Sequence, residues 1–385
     1  MQVIIVTGEW LLYEVIIVGG GPSGASAGRQ AGKLGLNALL LEKEEFPRYK
    51  PCGGGLSDHA ISYLDFELPE DIIEWEVTGA KVIFKDQRIE AHKDHRISTL
   101  VSRDVFDNFL LEKARESGIE VRTGEKVTGC REFSDCVEVE TKKKTYRARF
   151  VIIAEGAHGH LKTCVRAVDG REAYGICVVT EVPATEAEIE ERLGRAVEME
   201  FGVAGGGYGW VFPHRTYYSV GIGGFVKDLS HPRQTLLDYL KKNGFTGEYK
   251  LHGHKIPRGG FKRRVTGSRI ILSGDAGGFV DAFSGEGLAY AIRTGQFAAE
   301  TIAEVCQQGD KSKGLKKYES LCKAEFGTHL KYSLMFSKLM HRYPEKSFRI
   351  FTSNKKMMDK YLEVVDFSFN YKDFLRWTLL NFKLR

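Results

Sequence analysis

The segment Y-E-V-I-I-V-G-G-G-P-S-G, residues 13–24, decides the fold. Residues 13–18 are a near-continuous apolar run rich in β-branched side chains, the pattern of a parallel strand buried on both faces. Gly19, Gly21 and Gly24 follow in G-x-G-x-x-G spacing. The first glycine permits a tight turn out of the strand, the second lets a pyrophosphate approach the backbone, and the third lets helix and strand pack closely. Residues 22–34 read as a helix, whose uncapped N–H groups and positive dipole end face the phosphates. A second strand, residues 37–41, ends at Glu42, 18 residues past Gly24. A carboxylate there accepts hydrogen bonds from an adenosine ribose and repels the extra phosphate of NADP. Strand, turn, helix, strand and acid together specify a Rossmann-type unit that binds a dinucleotide.

The other end of the chain says which one. S-G-D-A-G-G-F-V-D-A-F-S-G-E-G-L-A-Y-A, residues 273–291, follows a short buried strand at 269–272. Asp275 is placed to bond a ribityl or phosphate-bridging hydroxyl. Gly285 and Gly287 open a second helix whose N-terminus faces the pyrophosphate or a flavin carbonyl edge. Two such loops about 250 residues apart indicate FAD. Only one G-x-G-x-x-G is present, so there is no second nucleotide domain of the glutathione-reductase sort.

Between these loops the pattern changes. Residues 77–97 and 171–226 alternate like antiparallel strands, and 103–117 read as a helix with Phe106, Phe109, Leu110 and Ala114 on one face. The chain therefore reads as α/β: a discontinuous FAD-binding domain (13–76, 101–165, 265–305), an inserted antiparallel-sheet substrate domain (77–100, 166–264) and a helical basic C-terminal region (306–385). The 385 residues suit two or three such units.

The three loop segments resemble the flavoprotein family that includes para-hydroxybenzoate hydroxylase, FAD-dependent halogenases and geranylgeranyl reductases. The resemblance spans residues 13 to about 305. It implies that Arg103, in V-S-R-D-V-F-D, contacts FAD, and that the loop Glu155-Gly156 stands where the family usually has Asp-Gly. Ser23, Lys43, Val127, Gly156, Gly274 and Leu288 complete the cofactor contacts it implies. Two further motifs are similar to the geranylgeranyl reductases. K-P-C-G-G-G-L-S, residues 50–57, matches their cysteine-glycine loop and sets Cys52, Gly53 and Gly55 against the flavin. Cys52 is open as a structural thiol, a redox thiol or a proton source. Y-G-W-V-F-P, residues 208–213, matches the later part of their P-x-x-Y-x-W-x-F-P motif, although Gly205 replaces the leading proline. On a strand Tyr208, Trp210 and Phe212 share one face and build an aromatic wall for substrate, with Tyr208 and Trp210 also candidates for a part in catalysis.

The family implies saturation of isoprenoid C=C bonds on geranylgeranyl chains, carried as the diphosphate or on archaeal-type ether lipids. A monooxygenase or halogenase acting on an aromatic compound, or a non-catalytic flavin electron-transfer protein, are the alternatives. NADH, NADPH or a ferredoxin would supply electrons.

Composition narrows the setting. No apolar run reaches the roughly 18 residues of a membrane span, and the first 12 residues lack a basic start and cleavage site, reading as an edge strand or an upstream start. Seven scattered cysteines without a C-x-x-C pair or zinc spacing indicate a reducing, cytoplasmic compartment. Nothing reads as nucleic-acid or metal binding; the pairs His158/His160 and His252/His254 lack a third ligand in view. Residues 306–385 carry 17 Lys and Arg against 8 Asp and Glu. That asymmetry fits a solvated helical face, an acidic electron carrier, or peripheral contact with the inner face of the cell membrane. Phe336, Met340, Phe348, Phe351, Phe367, Phe369, Trp377 and Phe382 lie among those lysines, as helical core or as membrane-facing groups.

Overall fold

The computed structural model describes residues 12–260, 263–309 and 312–382. The expectation for the N-terminal extension therefore lies almost wholly outside the described residues. The strand Leu12–Val18 is central in a seven-stranded sheet, and from Val15 to Val18 it is buried on both faces, as its uninterrupted apolar run requires. It pairs in parallel with Ala38–Leu41 on one side and Thr145–Ile153 on the other. Glu120–Arg122 extends the parallel edge. Thr145–Ile153 is shared along its length. Its first half pairs antiparallel with Val137–Thr141, and its last three residues pair in parallel with Ile270–Leu272. The C-terminal strand ends thus converge at Gly19, Glu42, Ala154 and Ser273, the edge at which ligands meet such sheets.

Small residues bring the two long helices together over this sheet. A β-carbon on Gly295 of the helix Leu288–Gln307 would collide with the Ser23 carbonyl of the helix Pro22–Lys33. Gly28 of the latter helix meets Ile119 Cδ1, 2.6 Å from where its β-carbon would stand. This close helix contact holds the two glycine-rich loops side by side, although they are far apart in sequence.

The second sheet runs in the order His252–Pro257, Tyr174–Pro183, Tyr217–Phe225, Tyr208–Pro213, Ala196–Phe201, Gly79–Phe84, Gln87–His92. It is antiparallel except for one pair: Gly79–Phe84 lies parallel to Ala196–Phe201. A three-stranded sheet of Gly55–Ser57, Ser98–Val101 and Ile73–Val77 bridges it to the first. One face of the second sheet packs on the helices Glu186–Leu193 and Pro232–Lys242. The other is roofed by the C-terminal helices Pro344–Ser353 and Lys355–Val365. Phe348 and Phe351 of that roof, with Phe336 and Met340 of the helix Thr328–Arg342, are buried in one cluster with Phe201 and Phe283. Those four belong to the core. Phe367, Phe369, Trp377 and Phe382 are partly buried. No helix among the described residues is long and apolar enough to cross a membrane.

Candidate functional site

A cavity of about 900 Å³ runs from the residue 19–24 turn, past the loop 50–55, into a chamber between the second sheet and the C-terminal helices. The turn is built as its glycines demand. Gly19 has φ +106°, and a β-carbon on it would stand 2.5 Å from the Ala154 carbonyl oxygen. A β-carbon on Gly24 would fall on the Gly19 carbonyl. Gly21 has open space, its nearest neighbour being Arg48 Nη2 at 3.6 Å from the same construction. The helix Pro22–Lys33 begins at Gly21 with no side-chain cap and no acid in its first turn. The helix Leu288–Gln307 starts at Gly287 in the same way. Both N-termini border the cavity, the second with its Ala289 N–H held by the Glu286 carboxyl.

Glu42 is buried at the end of its strand. Its carboxylate accepts from the Gly20 N–H at 2.5 Å and the Glu44 N–H at 2.8 Å. Arg48, which sequence reading did not single out, reaches over the turn. Its Nη2 pairs with the fully buried Asp107 at 3.0 Å, while Nη1 is buried with no hydrogen-bond partner among the described residues. A guanidinium N–H beside an uncapped helix N-terminus suits phosphate oxygens as charge-assisted acceptors. The residues therefore fit a dinucleotide pyrophosphate.

Further along, Arg103 grips Asp107 with two parallel hydrogen bonds of 2.7 and 2.9 Å and also bonds Cys52. Cys52 thus has a cation beside it that is distant in sequence. Lys50 is half-buried and donates to His254 Nε2 at 2.7 Å. Burial and then Arg103 push the Lys50 pKa down, while Asp275 opposes them. Burial and Lys50 hold His254 far below the usual imidazole range, so it stands as a neutral acceptor. His158 accepts from the Lys255 N–H at 3.2 Å and His160 reaches the Thr128 carbonyl at 3.2 Å. His158 and His254, one from each pair, lie with ring centroids 4.7 Å apart, and no group of three metal-ligating side chains occurs among the described residues.

In the cysteine-glycine loop only Gly55 is open. A β-carbon on Gly53 would stand 2.8 Å from the Phe212 ring, and on Gly54 (φ +81°) 2.9 Å from His214 Cε1. Gly53 thus makes room for the second sheet, and Gly54 for His214 and for the Val101 carbonyl oxygen, 2.4 Å from where its β-carbon would stand. Tyr208, Trp210 and Phe212 share one face as expected, with ring centroids 6.2 and 6.3 Å apart, and all three line the cavity. The Tyr208 hydroxyl donates to the Ser284 carbonyl. Its phenol is engaged, so its part is the ring face and not a free proton.

Gly19, Gly21, Ser23, Glu42, Lys43, Cys52, Gly53, Gly55, Arg103, Val127, Gly156, Asp275, Gly285, Gly287 and Leu288 all border the cavity. Gly24 and Gly274 lie behind it. Gly24 sits under the Gly19 carbonyl, and Gly274 packs on Ser23 and donates its N–H to Thr294 Oγ1 at 2.9 Å. Glu155, standing in place of the shorter acid, turns back to accept the Leu161 N–H at 2.7 Å.

Comparison with known proteins agrees with this geometry. The FAD binding domain family matches residues 12–218. Geranylgeranyl diphosphate reductase of Rhodobacter capsulatus is 30% identical, over 83% of this chain and 82% of that protein. Digeranylgeranylglycerophospholipid reductase 1 of Methanococcoides burtonii is 28% identical, over 92% and 90%. The crystal structure of a geranylgeranyl bacteriochlorophyll reductase-like protein from Thermoplasma acidophilum superposes with a TM-score of 0.80 at 22% identity, covering 97% of each chain, which shows a shared fold. FAD is the cofactor that the turn, the uncapped helices and Arg48 accommodate, and the chain belongs to the geranylgeranyl reductase family of FAD-dependent oxidoreductases.

Proposed function

We propose that the protein saturates isoprenoid double bonds of geranylgeranyl chains, carried as the diphosphate or on a glycerol ether lipid. The observation that carries this reading is the continuity of one cavity from the phosphate turn to an apolar chamber walled by Tyr208, Trp210, Phe212, Met199, Met358 and Leu362. A long hydrocarbon gains about 0.8 kcal/mol for each CH₂ it buries there. Bound FAD, once reduced, supplies the hydride equivalent.

The protein's own side chains do the rest. An isolated trisubstituted alkene has no carbonyl to polarise, so its branched carbon must gain cationic character as a proton reaches the other carbon. Aromatic faces stabilise such a charge by roughly 0.5–2 kcal/mol each. The Tyr208 hydroxyl and the Trp210 indole N–H are both turned to protein acceptors, Ser284 and Ser219, leaving their ring faces to the chamber. The roof of C-terminal helices excludes water, which would otherwise capture the developing cation.

The test is anaerobic. Dithionite-reduced holoenzyme is mixed with geranylgeranyl diphosphate or a digeranylgeranyl ether lipid, and flavin absorbance is followed. Reoxidation by at least one of them is expected. A flavin that stays reduced with both, and reoxidises only with oxygen and an aromatic substrate, supports a monooxygenase or halogenase instead.

A further inference from the structure

Six carboxyl groups among the described residues border the cavity: Glu42, Glu44, Glu155, Asp275, Asp281 and Glu286. Five have partners that account for a charged form or lie toward the cofactor end. Glu42 and Glu155 accept backbone N–H groups, and Glu44 faces Lys43 at 3.3 Å. Asp275 faces Lys50 and Arg103. Asp281 accepts from the N–H groups of Phe283 and Ser284 at 2.7 and 3.0 Å and lies 3.4 Å from His329 Nε2.

Glu286 differs. It stands between Gly285 and Gly287 at the start of the helix Leu288–Gln307, beside the aromatic wall: a β-carbon on Gly285 would be 3.6 Å from the Tyr208 hydroxyl. Its Oε1 accepts from the Ser57 hydroxyl at 2.7 Å, and the Ala289 N–H also reaches its carboxyl. Ser57 ends the short strand that follows the cysteine-glycine loop. The carboxyl thus spans the gap between the loop that faces the cofactor and the chamber that faces the substrate. No cation among the described residues is paired with it. The charged group facing it is Asp281, and the phenols of Tyr63, Tyr290 and Tyr361 complete its titratable surroundings.

We propose that Glu286 is the acid that delivers the proton to the substrate double bond, with Ser57 orienting its carboxyl and returning the proton afterwards. The proposal rests on the prenyl-reductase reading. In the step, the Glu286 O–H bond breaks and the alkene π pair forms the new C–H bond at the less substituted carbon. The branched carbon, left short of an electron pair, takes the hydride and both its electrons from the reductant, FAD in its reduced form. Glu286 is left as a carboxylate and is reprotonated from solvent through the Ser57 hydroxyl. Burial raises the Glu286 pKa to about 7, with Ser57 lowering it and the charge of Asp281 adding to the rise. An acid poised there is protonated in a useful fraction at neutral pH and recovers readily.

The experiment compares wild-type holoenzyme with Glu286→Gln, Glu286→Asp and Ser57→Ala. E286Q is expected to bind FAD and to be reduced by dithionite as wild type is, while reoxidation by geranylgeranyl diphosphate, or by the ether lipid if wild type prefers it, slows by about 10²-fold or more. The wild-type rate should fall as pH rises through about 7, and that limb should vanish in E286Q and persist at a lower rate in E286D. S57A should move the limb upward, because it removes a hydrogen bond that favours the carboxylate. Independently of turnover, infrared difference spectra should show a protonated carboxyl that titrates near pH 7 in wild type and is missing in E286Q. An E286Q enzyme that turns over at the wild-type rate, or keeps the same pH limb, overturns the proposal alone. A wild type that no prenyl chain reoxidises overturns the functional reading and this proposal together.

Discussion

His214 Nε2 lies 3.2 Å from the carbonyl oxygen of Gly53, a residue 161 positions earlier, and ties the second sheet to the cysteine-glycine loop. The imidazole is buried and stacks on Tyr217 with ring centroids 4.3 Å apart. Burial pushes its pKa down to about 4. Between that value and the ordinary 6.5, the unfolded chain binds a proton that the folded one refuses. Stability therefore rises with pH across this window and is lost as pH falls through it. The loss, relative to pH 7, reaches about 3 kcal/mol near pH 4. His214→Gln keeps a donor for Gly53 without the titration. Denaturant melts from pH 4 to 7 should show a shallower acid slope for H214Q than for wild type.

The nucleotide turn separates a packing glycine from a binding glycine. Gly24→Ala forces a methyl group onto the Gly19 carbonyl, so it should destabilise the apoprotein by several kcal/mol and abolish FAD retention. Gly21→Ala meets nothing closer than 3.6 Å and lies at an extended φ of −69°. It should leave apoprotein stability within about 1 kcal/mol of wild type and weaken FAD binding by crowding the phosphate. Urea melts and flavin titration of the two variants distinguish these outcomes.

Arg48→Met removes the buried Nη1 donor that has no partner among the described residues. FAD affinity should fall about 10- to 100-fold, the worth of a charge-assisted phosphate contact. The salt dependence of binding should fall with it, and Arg48→Lys should recover only part of the affinity because it lacks the planar fork. Isothermal titration at two ionic strengths measures both.

The aromatic wall should act on turnover and not on cofactor binding. Trp210→Leu removes one ring face, and the rate of substrate-dependent flavin reoxidation should fall by a factor corresponding to roughly 0.5–2 kcal/mol. FAD content should be unchanged. Stopped-flow reoxidation with matched flavin occupancy is the measurement.

Much of the cofactor end was legible because its signals are local. Gly19, Gly21, Gly24 and Glu42 fall within one strand–turn–helix–strand unit, and the alternation of Tyr208, Trp210 and Phe212 follows from strand geometry. The pairings that sequence reading did not connect act across long separations. Lys50 meets His254 over 204 residues, and Ser57 meets Glu286 over 229. A lysine in a Gly/Pro-rich loop and a glutamate between two glycines carry no periodicity that links them. Strand direction was hidden for a different reason: the two-residue period of 79–84 and 196–201 is the same whether the pair is parallel or antiparallel. Composition likewise cannot tell an aromatic roof from a membrane-facing surface. The fold settles Phe348 and Phe351 by stacking them around Phe201 and Tyr361.

The most direct test of the central claim counts atoms. Reduced holoenzyme is given its geranylgeranyl substrate in deuterated buffer without oxygen, and the product is examined by mass spectrometry. The account predicts one saturated bond for each flavin oxidised, with two carbon-bound deuterium atoms per bond: one from the solvent-exchanged acid and one as the hydride, because the N–H of the reduced flavin also exchanges with solvent. A product with no carbon-bound solvent deuterium, or flavin oxidation without saturation of the chain, would contradict it.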